Sequence, residues 1–261
     1  MATVLCVIVF RAMLPSRVLV SESSDYTSFY APVARQVLNG RGPVLVDGAP
    51  ATRYPPGYAL LLAGVFGMAR LAGIPEELAV TGLTWVGAGL SAVLLFALSA
   101  TVWPRRLAIG ASLVFMTYPL TLWLTKEPNS EIAFMPVFYG SVFLLWSGIR
   151  TRRHMAVFCL GCGLLAGCAM LIRPIAVGVG LLLAAITWRL SGDLRRRRRL
   201  AMVALILVGN LVVVLPWELW VYGRTSEVIL LSTGGVATVR DGLAFAGSRK
   251  SFREPVGISA G

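Results

Sequence analysis

The sequence is short of charge, and short of the residues from which water-soluble catalytic centres are usually built. Asp, Glu, Lys and Arg make up only 14% of its 261 residues, hydrophobic residues make up 57%, and the mean hydropathy is +0.76. Soluble domains carry about 25% charged residues, so this chain has too few to cover a solvated surface. The only histidine, His154, sits in a basic connector, which excludes a Ser-His-Asp triad and a histidine-rich metal site. Cys6, Cys159, Cys162 and Cys168 all lie in apolar runs, where thiols act as small hydrophobes, so no disulfide framework is expected. The first run, Ala2 to about Leu14, lacks a basic leader and a small-residue cleavage site and does not read as a signal peptide.

What is present is a series of apolar runs separated by short basic connectors. A hydrocarbon core of about 30 Å needs roughly 20 apolar residues per helix. After the first run and a polar stretch from Ser21 to Tyr54 come an apolar run from Pro56 to Leu71 and further runs over about 78–102, 107–125, 132–149, 155–172, 174–190 and 200–217. The net charge of +12 is not arranged as a nucleic-acid footprint, because the arginines fill connectors and are not interleaved with aromatic platforms. Nucleic acid is therefore not an expected partner. Arg105–Arg106, Arg150–His154 and Arg189 with Arg195–Arg199 mark three connectors that the positive-inside rule places in the cytoplasm.

That orientation has consequences. The run 78–102 then enters from outside, so Pro56–Leu71 begins and ends outside, as a re-entrant or interfacial helix. The reading is an all-α, polytopic transmembrane bundle of about seven spans plus that helix, in the inner (plasma) membrane with the N-terminus cytoplasmic. Residues 1–221 form the module, with an outer loop at 21–77, and 222–261 form an extracytoplasmic tail. Within the run 155–172, Gly163 and Gly167 stand at the spacing that lets helix backbones approach closely.

Candidate chemistry lies in the outer segments. Asp25 opens a stretch in which Tyr26, Phe29, Tyr30, Val33 and Val37 recur at helical spacing until Asn39-Gly40 stops it, which predicts an amphipathic helix on the outer surface with Asp25 as its N-cap. Lys126-Glu127-Pro128-Asn129-Ser130-Glu131 is a polar turn in which Asn129 or Ser130 caps the next helix. Arg173 interrupts the apolar hairpin Leu171-Ile172-Arg173-Pro174; a boundary arginine is either paired, functional or snorkelling to the interface. Arg53 is a second outward cation, in Arg53-Tyr54-Pro55-Pro56-Gly57-Tyr58, where the prolines fix an extended entry into the following helix.

In order and separation these segments resemble the polytopic glycosyltransferases of the GT-C fold group that use polyprenyl-phosphate sugars. The nearest resemblance is to the bacterial protein O-mannosyltransferases and the aminoarabinose transferases of lipid A. The matching pieces are Ser24-Asp25-Tyr26, the Tyr30…Ala34-Arg35…Leu38-x-Gly40 helix, Tyr54-Pro55-Pro56-Gly57-Tyr58, Ser130-Glu131 and Leu171-Ile172-Arg173-Pro174. Pro216-Trp217, Tyr222-Gly223 and Leu231-Ser232-Thr233-Gly234-Gly235 resemble the end of the family's seven-span module.

The resemblance implies transfer of a sugar from a polyprenyl-phosphate donor to an acceptor hydroxyl on a lipid, glycan or protein, with inversion, at the extracytoplasmic face among membrane lipids. Asp25 takes the role of catalytic base or acceptor-positioning carboxylate, and Glu131 that of a second acceptor or metal contact. Arg53 and Arg173 become candidates for holding the donor phosphate, and Tyr30 for the substrate site. No cofactor is required by the pattern, although two outer carboxylates are the residue type that holds a divalent cation. Relatives continue for several more spans, so the resemblance also implies a further part after the tail. Two other classes compete: a lipid or polysaccharide transporter, and a non-catalytic membrane module. Transporters carry ionisable groups near the midplane, often in repeated halves, whereas these spans are nearly charge-free and show no repeat.

Overall fold

The computed structural model describes residues 2–15 and 25–234. Among these all the regular secondary structure is helical, residues 39–56 form a long irregular connector, and the only β-type pairing is a single bridge between Val44 and Pro50. The α-helices are α1 (Ala2–Met13), α2 (Ala31–Leu38), α3 (Gly57–Ala72), α4 (Glu76–Ser99), α5 (Arg105–Thr117), α6 (Pro119–Leu124), α7 (Ser130–Thr151), α8 (Met155–Ile172), α9 (Val179–Leu190) and α10 (Arg196–Thr225). A π-helical turn, Tyr26–Tyr30, leads into α2, and a 3-10 turn, Pro174–Ala176, precedes α9.

Four helices, α4, α7, α8 and α10, are long and apolar enough to cross a membrane. At 1.5 Å per residue they run from about 27 to about 45 Å. The other expected spans are shorter, for local reasons. The run 107–125 is divided into α5 and α6, because Pro119 drives Tyr118 out of the helical region, to φ −64° and ψ 125°. The run 174–190 starts as a 3-10 turn at Pro174, and α9 begins only after Gly178 at φ 85°. By contrast α10 exceeds the expected 200–217: its arginines are good helix formers, and Pro216 lies inside the helix without ending it. The architecture is therefore an all-helical bundle with four candidate membrane spans.

α8 is the central helix, packed against α7 on one side and α10 on the other. Its glycines permit that. A Cβ on Gly163 would fall inside the Ile206 carbonyl of α10, and one on Gly167 would stand 2.8 Å from Val213. Reciprocally, a Cβ on Gly209 of α10 would lie 2.7 Å from the Leu160 carbonyl. Cys159 and Cys162 are buried beside Ala166 and Ile206, in the packing role expected of them.

Polar contacts define two poles. At one, Arg150 reaches the Thr101 carbonyl at 3.3 Å and Arg152 pairs with Asp193 at 2.7 Å, which joins the connectors after α4, α7 and α9. At the other lie the starts of α4 and α7 and the end of α8. There α3 packs its Tyr58, Leu62 and Phe66 onto Val80 of α4, Ala133 of α7 and Ile172 of α8. Gly57 abuts the backbone of Leu171, and Glu76, just beyond the far end of α3, pairs with Arg35 of α2 at 2.9 Å. Both ends of α3 thus lie at the same pole, and α3 is a lateral element of that pole.

The division expected at residue 221 falls inside α10, which continues to Thr225. The chain then folds back: Trp217 Nε1 donates to the Leu231 carbonyl, and the Leu231 amide donates to Glu218. The Thr233 and Gly234 amides donate to the carbonyls of Thr52 and Arg53. Arg17, Ser24, Gly235 and the rest of the tail lie outside the described residues.

Candidate functional site

The π turn, the segment before α3, the first turn of α7 and the end of α8 bring the predicted residues to one pole. Asp25 is not a cap: its backbone is already helical, at φ −69° and ψ −35°, and its side chain makes no capping bond. Its carboxylate is turned across the pole and accepts a 3.1 Å hydrogen bond from the Tyr54 hydroxyl. Arg53 Nη2 stands 4.0 Å from the same oxygen, with the guanidinium over the Tyr54 ring. Both charged side chains are at least half exposed, so the ion pair is weak and open to a ligand.

The π turn sets this geometry. Such turns widen a helix locally and recur at functional sites; here the turn buries Phe29 and Tyr30 while leaving Asp25 at the rim. Tyr30 stacks on Tyr54 at 5.2 Å and meets Tyr58 edge-on at 4.9 Å, and Phe29 meets Tyr54 edge-on at 5.1 Å. Burial pushes the Tyr30 phenol up to about 12, while its hydrogen bond with Ser130 acts in the opposite direction. Tyr54 is also raised, by burial first and then by its bond to Asp25. Both phenols are therefore neutral hydroxyls at physiological pH.

Glu131 and Arg173 meet on the other side of Tyr30. Arg173 Nη1 is 2.5 Å from Glu131 Oε1 and donates to Ser130 Oγ at 3.1 Å. α8 ends in an extended Arg173, at φ −142°, which sends its side chain toward α7 rather than along the helix. The predicted cap of α7 is present: Asn129 Oδ1 accepts the Ile132 amide at 3.1 Å. Elsewhere the polar turn before α7 is less solvated than its sequence suggests, because Lys126 is buried, paired with Glu127 at 2.7 Å and set over Trp123.

The structure thus links Arg53, Asp25, Tyr54, Tyr30, Ser130, Arg173 and Glu131 by successive contacts. Asp25, Arg53, Tyr30, Glu131 and Arg173 were identifiable in the sequence. Tyr54 was visible only as part of a motif and Ser130 only as a motif residue and candidate cap; their tie to the charged groups depends on the fold. The two carboxylates are held in separate pairs, and among the described residues no three acidic, histidine or cysteine side chains converge on a metal-sized centre. An apolar groove of about 370 Å³ lies between α3 and α4, lined by Val65, Met68, Leu83 and Val86 among others. It has no titratable lining and contributes shape, not chemistry. No family model, curated protein or solved structure matches the chain.

Proposed function

We propose that the protein is an integral membrane glycosyltransferase that moves a sugar from a polyprenyl-phosphate donor to an acceptor hydroxyl. The observation that carries this reading is the gathering of a carboxylate, two arginines and a tyrosine cluster at one pole of an otherwise apolar bundle. In the proposed reaction the acceptor oxygen attacks the anomeric carbon from the face opposite the phosphate. The bond between anomeric carbon and phosphate oxygen breaks, the lipid phosphate leaves with that electron pair, and Asp25 takes the acceptor proton.

Arg53 and Arg173 are the groups suited to the charge that builds on the departing phosphate. In this reading Glu131 orients Arg173, whose guanidinium its Oε1 holds. The stacked Tyr30 and Tyr54 offer neutral hydroxyls and an aromatic face to the sugar.

The membrane placement belongs to the same proposal. The arginine-rich pole lies in the cytoplasm and the tyrosine-rich pole outside. α3 rests in the outer interface, and α1, α5 with α6, and α9 with its 3-10 turn complete seven crossings alongside the four long helices. The short elements need local thinning or tilt, which bilayers accommodate at modest cost. A transfer assay with purified protein, a polyprenyl-phosphate sugar and extracted envelope acceptors tests the reading. Sugar transfer that is lost in Asp25→Asn supports it. Undiminished transfer by that variant removes Asp25 as base, and no transfer by folded wild type rejects the activity.

A further inference from the structure

We propose that the arginine-rich pole is a binding surface for anionic phospholipid headgroups, centred on the turn between α9 and α10. Eleven arginines fall in the three connectors of this pole (Arg105, Arg106, Arg150, Arg152, Arg153, Arg189 and Arg195–Arg199), against one acid, Asp193. Ten of the chain's net twelve positive charges are therefore placed here. The structure brings the connectors together through Arg150 on Thr101 and Arg152 on Asp193. The second of these contacts occupies the only carboxylate in the three connectors.

Among the described residues, Asp193 is the only acid in these three connectors. Arg196 to Arg199 form the first turn of α10, where the helix dipole is also positive and no acidic residue intervenes. Successive helical residues are turned by about 100°, so four arginines surround the helix end. Arg195 to Arg198 are exposed. Arg199 is held inward, its guanidinium 4.1 Å over the Trp188 ring and its Nη2 on the Trp188 carbonyl. Four exposed guanidinium groups at one helix end favour an external anion.

The surroundings identify its class. Exposed apolar side chains alternate with the arginines at this level: Trp103 at 52% exposed, Trp188 at 37%, and Val102, Leu107, Leu190 and Leu200. A soluble acidic peptide or a nucleic acid would neutralise the charge but leave that rim wet. A phospholipid does both, with its phosphate on the guanidinium groups and its acyl chains along the apolar flanks. Tryptophan at this level is also the residue suited to the boundary between headgroups and hydrocarbon.

This inference rests on the membrane-crossing reading, not on sugar transfer. The test places the full chain in nanodiscs of phosphatidylcholine alone or of an equimolar phosphatidylcholine–phosphatidylglycerol mixture, then reads thermal midpoints and retained lipids by native mass spectrometry. The wild type is expected to retain phosphatidylglycerol several-fold over its share and to melt higher in the mixed discs, with the increment falling as salt rises. Replacing Arg195–Arg198 by Gln removes the enrichment and the increment while leaving the midpoint in phosphatidylcholine unchanged. The four-Lys variant retains both, which guards against a Gln variant that simply misfolds. Equal behaviour in the two discs overturns the proposal. So does an equal stabilisation by inorganic phosphate or by a soluble acidic peptide in phosphatidylcholine discs. Failure to enter either disc would instead reject the membrane reading beneath it.

Discussion

The Tyr54 hydroxyl donates a 3.1 Å hydrogen bond to Asp25 Oδ1, tying the π turn to the segment that enters α3. A carboxylate that must orient an acceptor needs one oxygen fixed and one free, and Tyr54 supplies the fixed one. Tyr54→Phe keeps the ring that stacks on Tyr30 and removes the hydroxyl that bonds Asp25 and meets Arg53. A hydrogen bond to a charged carboxylate is worth roughly 1.5–3 kcal/mol net, so sugar transfer by the Phe variant is expected to fall about 10- to 100-fold. Asp25→Asn is expected to lower it by about 10²–10⁴-fold, the range for loss of a general base. Initial rates alongside thermal midpoints check both. Equal rates for Tyr54→Phe and wild type would show that the bond does not position the carboxylate.

The Arg173–Glu131 pair leads to a different expectation. Both side chains are about one-third exposed, at 31% and 38%, so solvent screens their attraction. Glu131→Gln is expected to cost well under about 1 kcal/mol of stability yet to lower transfer, because Arg173 loses its orienting partner. Arg173→Gln is expected to lower transfer further and to make the Glu131 substitution silent. The non-additivity of the double variant in a rate cycle is the measurement. Additive losses would mean that the two residues act separately.

The central packing can be tested without any substrate. Gly163→Ala forces a methyl into the Ile206 carbonyl, where backbone must move, whereas a Cβ on Gly110 meets nothing within 4 Å. Overpacking of this kind typically costs about 1–3 kcal/mol, while alanine at an open helical position gains up to about 1 kcal/mol over glycine. Gly163→Ala should therefore unfold at lower denaturant and Gly110→Ala at equal or higher denaturant. Parallel unfolding curves for the two would sink this account of the α8–α10 contact.

The close approach at Gly163 and Gly167 was legible in the sequence because small-residue spacing is local to one helix. So were the bounds of α8 and the Asn129 cap, which depend on neighbours a few residues away. The break at Tyr118–Pro119 was missed: 107–125 reads as one apolar run, because its mean hydropathy averages across the proline. Asp25 shows the limit of such reading. Its place before a helical pattern predicts a cap, and the π turn then gives it helical backbone and frees its carboxylate for a residue 29 positions away. The pairing of Thr233 with Thr52 spans 181 residues and leaves no local trace. Each of these depends on packing between distant segments, which no periodicity encodes.

Tyr30 predicts a pH dependence whose sign follows from its burial. An unfolded phenol ionises near pH 10, whereas the folded one is pushed up to about 12, chiefly by burial. The folded state thus favours the neutral form. Its contribution is fully present below about pH 10 and is lost as pH rises through about 12. Two pKa units correspond to about 2–3 kcal/mol. The stability difference between wild type and Tyr30→Phe should therefore be constant up to about pH 9.5 and then shrink by roughly that amount by pH 12. Other tyrosines titrate alike in both proteins, so the difference isolates Tyr30. Thermal midpoints across the series, with tyrosinate absorbance at each pH, measure it; a difference that stays flat to pH 12 would mean the Tyr30 hydroxyl is open to water.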